Sequence, residues 1–129
     1  MTRKDFDPAT ITPDDRPPAK QTLFPPNAPR PWRGNVPGEL FSGEVTVLTY
    51  GNETVGEGPR LHVHPYDETF VVIEGNVRFF VGNEVINAVA GEVVFGPKGL
   101  PHRFENLGPG RMQTIDIHHS PRWIQTDLD

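Results

Sequence analysis

From Glu39 onward, glycine, asparagine and proline cut the chain into short β-prone runs, and that spacing leaves few folds open. The runs fall at 41–50, 60–64, 68–73, 77–81, 85–88, 92–95, 102–106 and 112–118. Each is too short for an amphipathic helix of ordinary length, and several alternate apolar and polar residues with the period of a half-buried strand. Eight short strands with turn residues between them make a complete small antiparallel β-barrel, so the fold class is all-β. Glu74-Gly75-Asn76 and Gly82-Asn83 supply residues tolerant of positive φ, and both are read as tight hairpins.

The first 37 residues have a different texture. They hold nine of the 15 prolines, in segments such as Arg16-Pro17-Pro18, Phe24-Pro25-Pro26 and Pro29-Arg30-Pro31-Trp32. Proline fixes φ and removes a donor, so neither a long helix nor a central strand fits. The chain therefore divides into a Pro-rich N-terminal arm, 1–37, and a barrel, 38–129. The arm is either extended and partly disordered, or anchored through Leu23, Phe24 and Trp32 across the barrel or onto a partner subunit.

With 129 residues and a net charge of -5, the protein is one domain without the Lys and Arg clusters that nucleic-acid binding needs. No apolar run approaches membrane-spanning length, and the amino terminus has no apolar leader, so a soluble cytoplasmic protein with a small-molecule partner is expected. There is no cysteine. A metal site here has only nitrogen and oxygen to offer, from His, Asp and Glu.

Those residue types are concentrated in one pattern. His62 and His64 are two apart, and in an extended strand residues i and i+2 share a face, so both imidazoles can reach one ion. Glu68 follows a Pro65-Tyr66-Asp67 corner. His102 lies in Pro101-His102-Arg103-Phe104-Glu105, whose alternation turns His102 and Phe104 inward and Arg103 and Glu105 to water. Any one of these histidines could simply be a packed core residue. Together with Glu68 they form a candidate four-ligand site for one divalent metal.

Written as patterns, residues 56–75 read G(x)5HxH(x)3E(x)6G, on Gly56, His62, His64, Glu68 and Gly75. Residues 91–106 read G(x)5PxG(x)2H(x)3N, on Gly91, Pro97, Gly99, His102 and Asn106, with 15 residues between the two patterns. Both resemble the two conserved motifs of the cupin superfamily, and the resemblance covers about residues 40–119. It implies a barrel of jelly-roll, or double-stranded β-helix, type, with His62, His64, Glu68 and His102 as metal ligands, and a homodimer. Exposed edge strands and an apolar wall on so small a barrel lead to the same expectation of a homodimer. The ligand set suits Fe, Mn, Ni, Zn or Cu and does not choose among them.

Other residues are candidates for the surroundings of the metal. Arg60 shares parity with the histidines, so a strand beginning that early would aim its guanidinium at the barrel mouth as a substrate-binding or catalytic group; beside Pro59 it is equally a solvated loop residue. Phe70, Val72 and Phe104 follow ligand parity as lining. Asp116 and His118 face one way and His119 the other, so one of these sets could support the ligands. Asn106 is read as closing a turn, and Ser120-Pro121-Arg122-Trp123-Ile124 as packing on the barrel wall or a second subunit. Three functions remain open. The first is a metal-dependent enzyme acting on a small oxygen-rich compound, with dioxygenase chemistry placed ahead. The second is a sugar-acid isomerase or lyase using the metal as Lewis acid, and the third is a non-catalytic small-molecule binding module.

Overall fold

The strands over 68–72, 76–81 and 102–106 alternate inward and outward side chains, and the inward set builds the core. In the computed structural model, which describes residues 2–25, 27 and 33–129, ten strands form two five-stranded antiparallel sheets. They are β1 (Arg33–Val36), β2 (Thr46–Asn52), β3 (His62–Val63), β4 (Glu68–Glu74), β5 (Asn76–Val81), β6 (Glu84–Val89), β7 (Val93–Gly96), β8 (His102–Asn106), β9 (Met112–His118) and β10 (Thr126–Asp127). One sheet has the order β1-β2-β9-β4-β7 and the other β10-β3-β8-β5-β6, a jelly-roll sandwich. The described helices are two 3₁₀ turns, Pro8–Thr10 and Gly38–Phe41, and no helix is long and apolar enough to cross a membrane.

Between the sheets, Phe70, Val72, Val77 and Phe79 are fully buried, with Phe104 and Met112 beside them. The Phe70 ring meets Phe79 and Phe104 at centroid distances of 5.0 and 5.8 Å. Each buried phenylalanine contributes roughly 1.5–3 kcal/mol of burial free energy. The same alternation leaves Ile73, Val93 and Phe95 exposed on the outer face of the first sheet.

Several boundaries differ from the expected ones. The run 41–50 opens instead with the Gly38–Phe41 turn, which Ser42 ends in the left-handed region at φ 55°, so β2 begins only at Thr46. Two edge strands escape the sequence pattern. β1, from within the arm segment, pairs with β2 from Arg33↔Tyr50 to Val36↔Val47, and β10 pairs with β3. Gly82-Asn83 makes the expected hairpin, with Val81 opposite Glu84. Glu74-Gly75-Asn76 does not. β4 pairs with β7 and β9, and β5 with β6 and β8, so Gly75 carries the chain across from one sheet to the other. Its φ of +82° and the Arg111 carbonyl oxygen, 2.3 Å from where a Cβ would sit, exclude a side chain at that crossing.

Residues 2–22 of the arm are exposed. Arg16 donates to the Ser42 carbonyl at 2.5 Å, and half-buried Leu23 lies against Gly34. Phe24 is exposed, and Trp32, the third proposed anchor, lies outside the described residues.

Candidate metal centre

The sandwich brings the four pattern residues together from both sheets. His62 on β3 pairs directly with His102 on β8, His64 follows β3 at the start of the turn, and Glu68 opens β4 in the facing sheet. All four are buried, and one potential ligand atom from each lies within 4.8 Å of the others. The rings of His62 and His64 are 4.9 Å apart, as i, i+2 geometry requires.

Backbone carbonyls set the tautomer of each imidazole. His62 Nδ1 lies 2.5 Å from the Arg60 oxygen, His64 Nδ1 lies 2.7 Å from the Ile124 oxygen, and His102 Nδ1 lies 3.2 Å from the Leu100 oxygen. A carbonyl only accepts, so the proton sits on Nδ1 and each Nε2 keeps a lone pair. The Nε2 atoms of His64 and His102 both stand 3.1 Å from the same Glu68 Oε1, and His64 Nε2 is buried without a hydrogen-bond partner. Lone pairs converging on a carboxylate oxygen repel one another unless a cation lies among them. The donor set therefore fits a metal: three imidazole nitrogens and one carboxylate suit a divalent transition ion.

Protonation favours the same assignment. Burial, reinforced by His102 and His64, pushes His62 down to about 4 against the pull of the Arg60 carbonyl, so its ring is neutral at physiological pH. Burial pushes Glu68 up, but protons shared with the imidazoles of His102, His118 and His64, which take the cation's place among them, outweigh it and hold the carboxyl below its ordinary range. A neutral imidazole and an ionised carboxylate are the forms that bind metal.

Beside this cluster is a cavity of about 570 Å³, whose walls include His62, Glu68, Phe104, Asp116 and His118. Arg33 on β1 and Trp123 with Gln125 ahead of β10 also line it, on the side where these two edge strands face each other. The Arg33 guanidinium stacks 3.9 Å over Tyr50 and donates to the Gly51 carbonyl. Arg60, the expected cation, is exposed, donates to the Asp129 carbonyl at 3.4 Å and is not among the lining residues. Strand parity does not extend to Arg60, because β3 starts only at His62. Upstream, Gly58 passes so close to the Phe104 carbonyl that a Cβ there would lie 1.7 Å from its oxygen. What Arg60 supplies to the site is its backbone oxygen.

Asp116 and His118 do face inward, while His119 points out to Thr69 Oγ1 at 2.9 Å. His118 Nε2 lies 3.2 Å from Glu68 Oε2, and its Nδ1 lies 2.7 Å from the Tyr66 hydroxyl, a partner that the sequence pattern did not single out. Asn106 closes the 106–110 turn as expected, accepting from Gly108 N and donating to the Gly110 carbonyl. The carboxy-terminal segment is exposed from Pro121 onward, and Trp123, which lines the cavity, lies 5.9 Å from the His118 ring.

Asp116 is buried with Oδ1 unpartnered, and burial first, then the Glu68 charge, pushes its carboxyl well above the usual range. Such a group contributes most favourably below its unfolded value near 3.8, and that contribution is lost as pH rises through the raised folded value. Asp116→Asn is therefore expected to stabilise the metal-free protein at neutral and higher pH by roughly 1–3 kcal/mol. The gain should disappear as pH falls towards 3.8, a trend that urea melts across pH would reveal.

A family model described as Cupin_2, cupin domain, matches residues 52–118, more than half of the chain. No curated protein matches. Among solved structures, oxalate decarboxylase OxdC of Bacillus subtilis superposes with a TM-score of 0.68 at 22% identity, over 74% of this chain and 27% of that one. The Lactobacillus farciminis oxalate decarboxylase formate complex gives 0.68 at 19%, over 74% and 30%. The chain thus spans less than a third of the length of these two enzymes. An uncharacterized conserved protein with a double-stranded β-helix domain from Klebsiella pneumoniae gives 0.64 at 20%, over 83% of this chain and 91% of that one. Motifs, sandwich topology and family model coincide on the same residues, and the chain belongs to the cupin domain family.

Proposed function

We propose that this protein is a metal-dependent enzyme acting on a small oxygen-rich organic compound, with His62, His64, Glu68 and His102 as the ligands. The observation that carries this reading is that His62 and Glu68 belong both to the ligand cluster and to the wall of the cavity. A structural metal site is closed by its protein ligands, whereas a catalytic one keeps a side open to substrate. A bound divalent ion supplies Lewis acidity to a chelating carboxylate, carbonyl or hydroxyl oxygen.

Asp116 bears on the reaction class. A buried carboxyl with one unpartnered oxygen and a raised pKa, set in the cavity wall near the metal cluster, can exchange a proton with a bound compound. This supports lyase or isomerase chemistry ahead of the dioxygenase reading, and it speaks against a purely binding role. Manganese(II) centres occur in the Bacillus subtilis oxalate decarboxylase, which makes manganese a reasonable first metal to supply.

The test is turnover of a panel of small keto, hydroxy and dicarboxylic acids by the metal-loaded protein in anaerobic buffer. Turnover without oxygen is the expected result. Turnover only with stoichiometric oxygen uptake would move the assignment to a dioxygenase, and saturable binding with no turnover would leave a binding module. The exposed Ile73, Val93 and Phe95 on one sheet face support a homodimer, for which light scattering would give twice 14.4 kDa.

A further inference from the structure

We propose that Tyr66 is a positioning residue which, acting through His118, holds Glu68 by one carboxylate oxygen and leaves the other to the metal. The proposal rests on the metal-ligand reading above and adds to it the way in which the carboxylate is divided.

The backbone N–H of Ile124 can only donate, and it lies 3.0 Å from the Tyr66 hydroxyl oxygen. That oxygen is also 2.7 Å from His118 Nδ1. Tyr66 is buried, so its own proton needs an acceptor, and His118 Nδ1 is the one within reach. With Nδ1 accepting, the His118 proton sits on Nε2, 3.2 Å from Glu68 Oε2. The reverse tautomer would leave the tyrosine proton without a partner and set a lone pair of Nε2 against a carboxylate oxygen.

Glu68 is thereby split between two neighbourhoods. Oε2 takes the His118 proton, while Oε1 stands 3.1 Å from the lone-pair nitrogens of both His64 and His102. A carboxylate with one oxygen committed to a hydrogen bond offers the metal the other. Ile124 ties the arrangement together, because its carbonyl accepts from His64 Nδ1 while its N–H donates to Tyr66. The Tyr66 ring also stacks on His64, with centroids 5.0 Å apart and an interplanar angle of 13°. Removing the hydroxyl alone leaves that stacking in place.

The experiment is a two-by-two set of variants at positions 66 and 118, titrated with manganese(II) by calorimetry. Tyr66→Phe is expected to weaken manganese binding about 10- to 100-fold. In a His118→Gln background the same change should cost less than about twofold, because a glutamine amide at the position of Nε2 carries its protons permanently and needs no hydroxyl to place them. Equal loss in both backgrounds would mean that Tyr66 acts only through packing, and an unchanged affinity in Tyr66→Phe would remove its role; either result overturns the proposal. The second readout needs no metal. ¹⁵N NMR of the metal-free protein should show His118 protonated on Nε2 in wild type and shifted towards Nδ1 in Tyr66→Phe, and a His118 protonated on Nδ1 in wild type would overturn the relay. If wild type binds no manganese or other divalent ion, the ligand assignment fails, whereas the His118 tautomer still decides the relay on its own.

Discussion

Replacing His64 and His102 together by alanine is expected to abolish metal retention while leaving a soluble, folded barrel. The pair supplies two of the three imidazole lone pairs, and both face Glu68 Oε1 at 3.1 Å. Without them the cluster is reduced to His62 and Glu68, too few donors to hold a divalent ion against dialysis, so the loss should exceed about a thousandfold in affinity. The fold should survive for two reasons. Truncating the buried rings costs packing, but it also removes the crowding of lone pairs on one carboxylate oxygen. The remaining cost of a few kcal/mol lies within the roughly 5–15 kcal/mol by which domains are stable. Elemental analysis after dialysis, with thermal melts at increasing manganese, measures both effects. Wild type should gain about 2.7 kcal/mol at a hundredfold excess of metal over its dissociation constant, and the variant nothing. Undiminished metal content in a folded variant would dismiss these residues as ligands.

The cluster of His62, His64, Glu68 and His102 could be read from the chain because the rules that place its members are local. Strand parity puts His62 beside His64, and alternation turns His102 and Phe104 to the same side, both of them buried. Arg60 obeys the same arithmetic and still points elsewhere, since parity holds only inside a strand and β3 starts two residues later. The limits of local reading show again at Gly75. A glycine at positive φ signals a reversal, but whether the chain turns back within its sheet or crosses to the other depends on the Arg111 backbone lying against it. β1 and β10 are legible only once β2 and β3 exist to pair with them. Tyr66 is the extreme case. Its hydroxyl acquires meaning from Ile124, 58 residues away, and His118, 52 away, and no periodicity encodes that meeting.

Phe70→Ala should be the most damaging single change to the core, with an expected loss of about 3–5 kcal/mol in urea or thermal unfolding. Phe70 is fully buried and its ring meets both Phe79 and Phe104, and Gly96 gives that ring room by having no side chain, since a Cβ there would lie 3.2 Å from the ring edge. Phe70→Leu, which keeps most of the volume, should cost less than about 1.5 kcal/mol. The same ring meets His102 edge-on at 5.5 Å. That contact carries the effect into the metal centre, because the bond from His102 Nδ1 to the Leu100 carbonyl, at 3.2 Å, is the longest of the three that orient the ligand imidazoles. His102 therefore depends on packing for its orientation more than His62 or His64 does. Phe70→Ala should weaken manganese binding about tenfold at a temperature where the variant is still folded, whereas Phe70→Leu should leave it nearly unchanged. A variant that loses the stability but binds manganese as tightly as wild type would show that the Leu100 carbonyl alone is enough to aim His102.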